Sequence, residues 1–329
     1  MQAGFVWMFL WTCCLPCDIL NSDILGKWRN EMKEQLKGSL LLLVGTIIWG
    51  CAFVAQSVAM DHIGPFTFQT FRSLLAVIVL IPVAAVFDRG RSAGGTFAGC
   101  WTDRNLWKTG LACGAALFVA SGLQQMGMVY TDPGKAGFLT AMYIVLVPVL
   151  GLFLGKRAGK LVWISVAIAA VGLYLLSCVG VDSINIGDIY LMGCALAYSV
   201  QITLVDRLAG ALDGVRLNCI QFFVVAVLSG VVMLAAETPT WSGILACAGA
   251  LLYTGILSSA VGFTLQILGQ QRLAPEPAAL IMSLESVFAV LAGWLILGQK
   301  LSLPESIGCC LVFAAVILAQ RQSGEKAAQ

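Results

Sequence analysis

Residues 124–136 read QQMGMVYTDPGKA, and residues 266–278 read QILGQQRLAPEPA. The two stretches share a glutamine, a glycine, a proline and an alanine at the same spacing, with an offset of 142 positions. A Leu-Gly pair then recurs at residues 154–155 and 297–298, one position further apart. Apolar sequences also resemble one another by chance, but a polar residue and a proline at fixed spacing favour an internal duplication.

The composition is that of a membrane protein. Of the 329 residues, 59% are hydrophobic and only 11% are charged, whereas a soluble domain carries about 25% charged residues. The formal net charge is +2. The basic residues stand in short runs between apolar blocks and form no single footprint for nucleic acid. We therefore expect the lipid bilayer as a partner, and no nucleic acid.

Ten apolar blocks follow one another along the chain. A bilayer core about 30 Å thick needs about 20 apolar residues in a helix, and each block is close to that length. The blocks cover residues 39–60, 66–87, 108–130, 135–155, 161–180, 187–205, 217–236, 243–270, 276–297 and 304–320. The sequence therefore predicts an all-α integral membrane fold with ten transmembrane helices.

The duplication relates blocks three and four to blocks eight and nine, so the repeated unit is five helices long. Because five is odd, the second copy must cross the membrane in the opposite direction to the first. This is the inverted-repeat plan of secondary transporters, with substrate sites near the midplane between the repeats. The predicted parts are an N-terminal extension (1–38), a first five-helix repeat (39–180), a second five-helix repeat (181–320) and a cytoplasmic tail (321–329).

The basic residues also predict the orientation. With the segment before the first block in the cytoplasm, 16 of the 19 Lys and Arg residues fall on the inner side. Such an asymmetry places both termini in the cytoplasm, and we expect a multi-pass protein of a prokaryotic plasma membrane.

The extension does not fit the pattern. Met1 to Leu20 is apolar but contains Pro16 and Asp18 and lacks a basic start, so it is a poor signal peptide. We expect Met32 to be the true start and the first 31 residues to be a miscalled extension. The alternative is a short peripheral helix or an eleventh helix.

Glu285 is the sharpest polar feature within the blocks. It lies about nine residues into the ninth block, roughly 13 Å deep at 1.5 Å per residue. Exposure of an acid to lipid at that depth would cost about 2.5–3.5 kcal/mol. Ala278, Ala289 and Gly293 share its side of the helix and form a small-residue packing face, so the acid should face the bundle or a cavity.

Glu285 has three readings. Because a low-dielectric environment favours the neutral form of a carboxyl group, Glu285 would suit a proton carrier. It could equally bind a cationic group on a substrate, or serve only as a protonated hydrogen-bond donor in packing. Other polar and aromatic residues lie at similar depth and could line the same cavity, although interhelical hydrogen bonding and aromatic packing are the simpler explanations for each one alone. The candidate substrate- or proton-binding residues are Glu285, Gln124, Gln266, Thr140, Tyr143, Trp49, Tyr198 and Gln56, with Gln125 and Gln201 as further polar neighbours.

Other ionisable residues are assigned to the interfaces. Arg72, near the outer end of the second block, is expected to snorkel to the membrane surface. Lys135 and Lys300 are expected to be interfacial anchors, and His62 lies in an outer turn where solvent exposure is expected.

Four short motifs, in order along the chain, resemble those of the EamA branch of the drug/metabolite transporter superfamily. They are residues 46–54 (TIIWGCAFV), 71–76 (FRSLLA), 134–141 (GKAGFLTA) and 283–289 (SLESVFA). The resemblance covers about residues 38–320. It implies ten helices, cytoplasmic termini, a cavity lined mainly by helices three, four, eight and nine, and export or exchange of small metabolites, such as amino acids, or of drugs. Many members carry an acid after the glycine that ends helices four and nine; here Lys156 follows Gly155 and Gln299 follows Gly298, so no role of that acid is transferred.

Three function classes were compared. A secondary transporter, with proton coupling left open, explains both the repeat and the polar interior. A receptor or scaffold subunit would require neither. An intramembrane enzyme would need convergent nucleophiles, a His-based site or paired acids, and the chain has one histidine and one deep acid. We therefore predict a transporter without enzyme activity, cofactor or metal, acting on a small molecule; a homodimer is compatible with the sequence.

Overall fold

A computed structural model describes residues 22–90, 101–155, 158–177, 185–297 and 302–327. These residues form helices joined by short turns, with no strand among them. We number ten consecutive helices, three of which are interrupted. They are α1 (Ser22–Met60), α2 (Pro65–Gly90), α3 (Arg104–Met128), α4 (Pro133–Ala141 and Tyr143–Phe153), α5 (Lys160–Ser177), α6 (Ile186–Leu208), α7 (Gly214–Ala236), α8 (Trp241–Ala246, Ala248–Leu252, Tyr253–Gly262 and Phe263–Gln270), α9 (Pro275–Met282 and Leu284–Leu297) and α10 (Leu303–Ala327).

Each predicted apolar block coincides with one of these helices, although the blocks 108–130 and 135–155 extend two residues past the helix ends and residues 178–180 lie outside the described residues. The structure supports the span count only in part. Within the described residues, eight helices are long and apolar enough to cross a membrane. The apolar parts of α5 and α10, Lys160–Leu175 and Leu303–Ala319, are shorter. Ten spans therefore remain a prediction.

The first helix begins earlier than predicted. α1 runs without interruption from Ser22 to Met60, because residues 22–38 continue the helix that the first apolar block, 39–60, was expected to start. The rest of the predicted extension, residues 1–21, lies outside the described residues.

Helix starts follow the local sequence. Asp103 and Asp213 directly precede α3 and α7. Their carboxylates accept hydrogen bonds from free backbone N–H groups of the first turn. α6 begins with a capping box in which Asn185 and Asp188 bond reciprocally to each other's backbone. Proline stands at the first turn of both α4 and α9, where its missing N–H costs nothing.

The helix packing is symmetric between the two halves. α2 packs on its counterpart α7, and α5 packs on its counterpart α10. α3 and α4 of the first half pack on α6, and their counterparts α8 and α9 pack on α1. The first helix of each half therefore packs against the third and fourth helices of the other half. The central helices of both halves enclose a common interior.

The three interrupted helices lie next to that interior. In α4 the helix is broken at Met142, and in α9 at Ser283, each about nine residues after the initial proline. In α8, Tyr253–Gly262 is wound as a π-helix, a conformation that is rare and frequently found at functional sites.

Candidate functional site

A small cavity lies between the central helices. Its lining comes from seven helices, α1 to α4 of the first half and α6, α8 and α9 of the second. The lining residues are Trp49, Phe53, Gln56, Arg72, Gln124, Thr140, Tyr143, Tyr198, Ile202, Ser258, Phe263, Gln266, Met282 and Glu285. All of them except the half-buried Tyr198 are buried, so the cavity lies inside the bundle.

All eight residues proposed from the sequence line this cavity. The two further polar neighbours stand just behind it, where Gln125 donates to the side-chain oxygen of Gln56 and Gln201 accepts from Gln266. The structure thus brings the candidates together; their binding roles remain predictions.

The central contact of the cavity joins the two interrupted helices. The hydroxyl of Tyr143 donates to Oε1 of Glu285 at 3.1 Å. Each residue lies in the first turn of a helix that restarts after a break, Tyr143 after Met142 and Glu285 after Ser283.

A backbone contact holds these two helices together one turn away. The hydroxyl of Ser286 donates to the carbonyl oxygen of Gly137 at 2.8 Å. A Cβ atom at Gly137 would lie 3.5 Å from the same hydroxyl, which is an ordinary van der Waals contact, so the hydrogen bond does not depend on the glycine.

A second polar group connects α3, α4 and α6. The hydroxyl of Tyr198 donates to Oε1 of Gln124 at 3.3 Å, and Nε2 of Gln124 donates to the hydroxyl of Thr140 at 3.5 Å. Both bonds are near the upper limit of hydrogen-bond length, so each is weak.

A third polar group lies on the second half. Nε2 of Gln266 donates to Oε1 of Gln201 at 3.1 Å and to Oε1 of Gln270 at 2.9 Å. Gln201 donates in turn to Gln221, and Gln270 donates to the carbonyl of Ile202. This side of the cavity is therefore a connected amide network.

Aromatic rings complete the wall. Trp49 and Phe263 have ring centroids 5.0 Å apart, and the indole N–H of Trp49 donates to the carbonyl of Ser258 at 3.2 Å. Ser258 lies within the π-helical stretch of α8. A side chain at Gly262 would come within 2.7 Å of the indole nitrogen, so a glycine is required where Trp49 crosses α8.

Arg72 contradicts its sequence prediction. It does not snorkel to an interface: the residue is 2% exposed and lines the cavity. Its Nη1 donates to Oε1 of Gln56 at 2.9 Å, and its guanidinium carbon lies 5.9 Å from the centre of the Phe68 ring. The position of Arg72 along α2 indicates how deep it lies in the membrane but not which way its side chain points. The side of α2 that carries Arg72 faces the interior.

Lys135 is also more than an anchor. Its ammonium forms an ion pair with Asp188 at 2.7 Å, with side chains only 13% and 8% exposed, and so connects the start of α4 to the start of α6. His62 is exposed, as predicted. Lys300 lies outside the described residues.

Sequence reasoning did not assign Ser258, Met282, Phe53 and Ile202 to the cavity. Apolar residues carry no signal that separates a cavity wall from lipid contact or core packing. For Ser258 the contacting atom is a backbone carbonyl, and a π-helical stretch has no sequence pattern by which it could have been predicted.

Comparisons with known proteins agree with this architecture. The model of the EamA-like transporter family matches the chain twice, over residues 36–178 and 185–320. A protein of Archaeoglobus fulgidus named "Uncharacterized transporter" is 29% identical over 305 residues, which is 92% of each chain. "Uncharacterized transporter YcbK" of Bacillus subtilis is 24% identical over 313 residues, covering 88% of this chain and 94% of that protein. A solved structure described as "Crystal structure of protein" superimposes with a TM-score of 0.70 at 17% identity, covering 87% of this chain and 96% of that one, and shows the same fold.

Proposed function

Since this chain belongs to the EamA-like transporter family, we propose that it is a secondary transporter that exports or exchanges small metabolites, with amino acids and drugs as candidate classes. The family and the names of the relatives support a membrane transporter. The substrate class, the direction and proton coupling are the parts that we propose.

One observation carries the proposal: polar side chains from both halves line one small cavity inside the bundle. Polar groups inside a membrane bundle are costly and mark substrate or ion pathways. A receptor or scaffold subunit would gain nothing from such an interior.

The packing suggests how the cavity opens alternately to each side. Because α3 and α4 pack on α6 as α8 and α9 pack on α1, exchanging the conformations of the halves would give a second state with the same set of helix contacts. Two such states have similar free energies, which is what rocking of one repeat against the other requires.

Glu285 is proposed as the proton or cation site. It is 6% exposed, it lies beside the hydroxyl of Tyr143, and among the described residues no basic side chain lies within ion-pair distance of it. A carboxyl in that position is neutralised either by a proton or by a cationic group of the substrate, and either would couple its charge to transport.

We further propose that the protein lies in a prokaryotic plasma membrane with both termini in the cytoplasm. The units are those expected from the sequence, a first repeat at 39–180 and a second at 181–320. The bacterial and archaeal relatives support this location.

The test is a metabolite-counterflow screen with purified protein in liposomes. Vesicles preloaded with one unlabelled metabolite are tested for accumulation of the same labelled metabolite, and Gly249→Ala serves as the control because no other group lies within 4 Å of that position. Counterflow of a small metabolite supports transport; absence of flux for every metabolite in a broad panel, with folded protein, argues against it.

A further inference from the structure

We propose that Arg72 binds the carboxylate of the transported molecule, which makes the substrate class a small organic carboxylate. The inference rests on the proposed transport function, since it assigns a ligand to the same cavity. It follows from a buried cation that has no carboxylate beside it among the described residues and from an N–H donor of that cation that has no partner.

The guanidinium of Arg72 is buried without a countercharge. Among the described residues, no carboxylate lies within 4.0 Å of it. Removing a charge from water is expensive unless an opposite charge compensates it. The neutral partners on hand are the amide oxygen of Gln56 and the ring of Phe68.

The other buried arginine of the described chain shows what a structural arginine looks like here. Arg216 is 4% exposed, and its Nη1 forms an ion pair with Asp213 at 2.9 Å. The two arginines are equally buried, yet only Arg216 has an acid beside it.

Two donors share one acceptor beside Arg72. Nη1 of Arg72 and Nε2 of Gln125 both donate to the same oxygen of Gln56. Nε of Arg72 is buried and has no hydrogen-bond partner. An arginine carries five N–H donors in a planar fork that fits the two oxygens of a carboxylate, so one further acceptor with two oxygens would complete the group.

That acceptor can reach Arg72 only through the cavity, whose wall the residue forms. Glu285 lines the same cavity at its contact with Tyr143. A ligand carboxylate at Arg72 would leave Glu285 free to hold a proton or a cationic group of the same ligand. The negative charge that balances Arg72 would therefore arrive with each substrate molecule and leave with it.

The experiment measures binding to the full-length protein in lipid nanodiscs, by calorimetry and by the shift in melting temperature. The probes are the twenty proteinogenic amino acids, each with two analogues: the amine that lacks the carboxylate and the carboxylic acid that lacks the amine. For the wild type we expect loss of the carboxylate to weaken binding about tenfold or more.

The same probes are then tested on variants. Arg72→Gln should lower the affinity for the carboxylate-bearing probes to that of the matching amines and leave the affinity for the amines unchanged, and Arg72→Lys should retain part of the preference. Arg216→Gln is the matched control, because it removes an equally buried arginine away from the cavity and should preserve the preference for carboxylates. If Arg72→Gln does not fold, the wild type and Arg72→Lys still give the comparison between each acid and its amine.

Three results would overturn the proposal: no carboxylate in the panel binds, amines bind the wild type as tightly as the matching amino acids, or Arg72→Gln weakens both classes equally. Flux and binding together test the transport proposal separately from the role of Arg72. Counterflow of a neutral or purely cationic metabolite that is unchanged in Arg72→Gln would refute the role of Arg72 and leave transport intact. Carboxylate binding that depends on Arg72, without any flux, would refute transport and leave the binding site intact.

Discussion

The hydroxyl of Tyr143 donates a hydrogen bond to the carboxyl group of Glu285, and the two residues are 142 positions apart. The same offset relates Gln124 to Gln266 and Pro133 to Pro275. Equivalent positions of two halves can touch only where the axis that relates the halves passes between them. At that point two identical acids would repel one another, whereas a tyrosine and a glutamate form a donor and an acceptor.

Replacement of Glu285 tests whether this contact is a site of charge coupling. Glu285→Gln keeps the size and an acceptor for Tyr143 but can no longer gain or lose a proton. We expect counterflow in liposomes to become independent of pH and to fall about tenfold or more if the acid contributes one charged hydrogen bond to transport. The measurement is the initial rate at several pH values with equal amounts of folded protein.

Tyr143→Phe is the companion variant, because it removes the hydrogen bond and leaves the acid in place. It should alter the rate while the dependence on pH persists. A Glu285→Gln protein with the rate and pH profile of the wild type would remove Glu285 from the mechanism and leave it a packing role.

The inverted arrangement of the halves predicts opposite accessibility for two equivalent turns. Asp132 precedes α4 and Ala274 precedes α9, and both side chains are exposed. Neither makes a side-chain cap hydrogen bond, so a cysteine at either place should be tolerated. We expect a membrane-impermeant maleimide applied to intact cells to label Asp132→Cys and not Ala274→Cys, with both labelled after permeabilisation.

The native cysteines require a control, since Cys310 is exposed. Labelling is therefore compared with the unmodified protein and with a variant in which Cys310 is replaced by Ser. Labelling of both introduced cysteines from the same side would contradict the inverted repeat and remove the mechanical basis for alternating access.

The sequence predicts the site best where a polar side chain lies at a depth that the hydrocarbon core of the bilayer disfavours. Glutamine, tyrosine, threonine and one acid at mid-span depth selected seven of the eight candidates that line one cavity, because each has a strong physical reason to avoid lipid; the eighth, Trp49, was selected for its aromatic ring. Arg72 was misjudged for a related reason. Its long side chain can reach the surface from that depth, and periodicity in a helix that is apolar on all sides does not reveal which face is inward.

Other features had no sequence signal at all. The partner of Lys135 is 53 positions away in Asp188, and such a pair depends on how α4 and α6 cross. The early start of α1 at Ser22 follows from helix propensity in a polar segment, which hydrophobicity alone does not detect.

Gly50 is predicted to be essential for the packing of α1 on α9. A Cβ atom at Gly50 would lie 2.4 Å from Cβ of Phe288 and 2.8 Å from the backbone nitrogen of Ala289. Because the contacting atoms belong to the backbone and its first carbon, they cannot rotate away. We expect Gly50→Ala to destabilise the protein by about 1–3 kcal/mol, measured as a lower midpoint of denaturation in detergent.

Gly249→Ala is the matched control, since that glycine also lies in a helix and has no other group within 4 Å. It should be neutral or slightly stabilising, because alanine favours the helix by about 1 kcal/mol over glycine. Equal stability of Gly50→Ala and Gly249→Ala would show that α1 and α9 do not approach as closely as described.

The ion pair between Lys135 and Asp188 is expected to stabilise the protein where an exposed pair does not. Its side chains are 13% and 8% exposed, and its atoms lie 2.7 Å apart. Asp188 also accepts from the backbone N–H of Asn185, so removal of the lysine leaves a buried acid within a capping box. Lys135→Met should lower the free energy of unfolding by about 2 kcal/mol, while Asp188→Asn should also weaken the start of α6.

Lys37→Met is the comparison. It breaks a pair with Glu34 whose side chains are 63% and 48% exposed, and should lower the free energy of unfolding by no more than about 0.5 kcal/mol. The double variant Lys135→Met/Asp188→Asn completes a mutant cycle, and a coupling energy near zero would mean that α4 and α6 are held by packing alone.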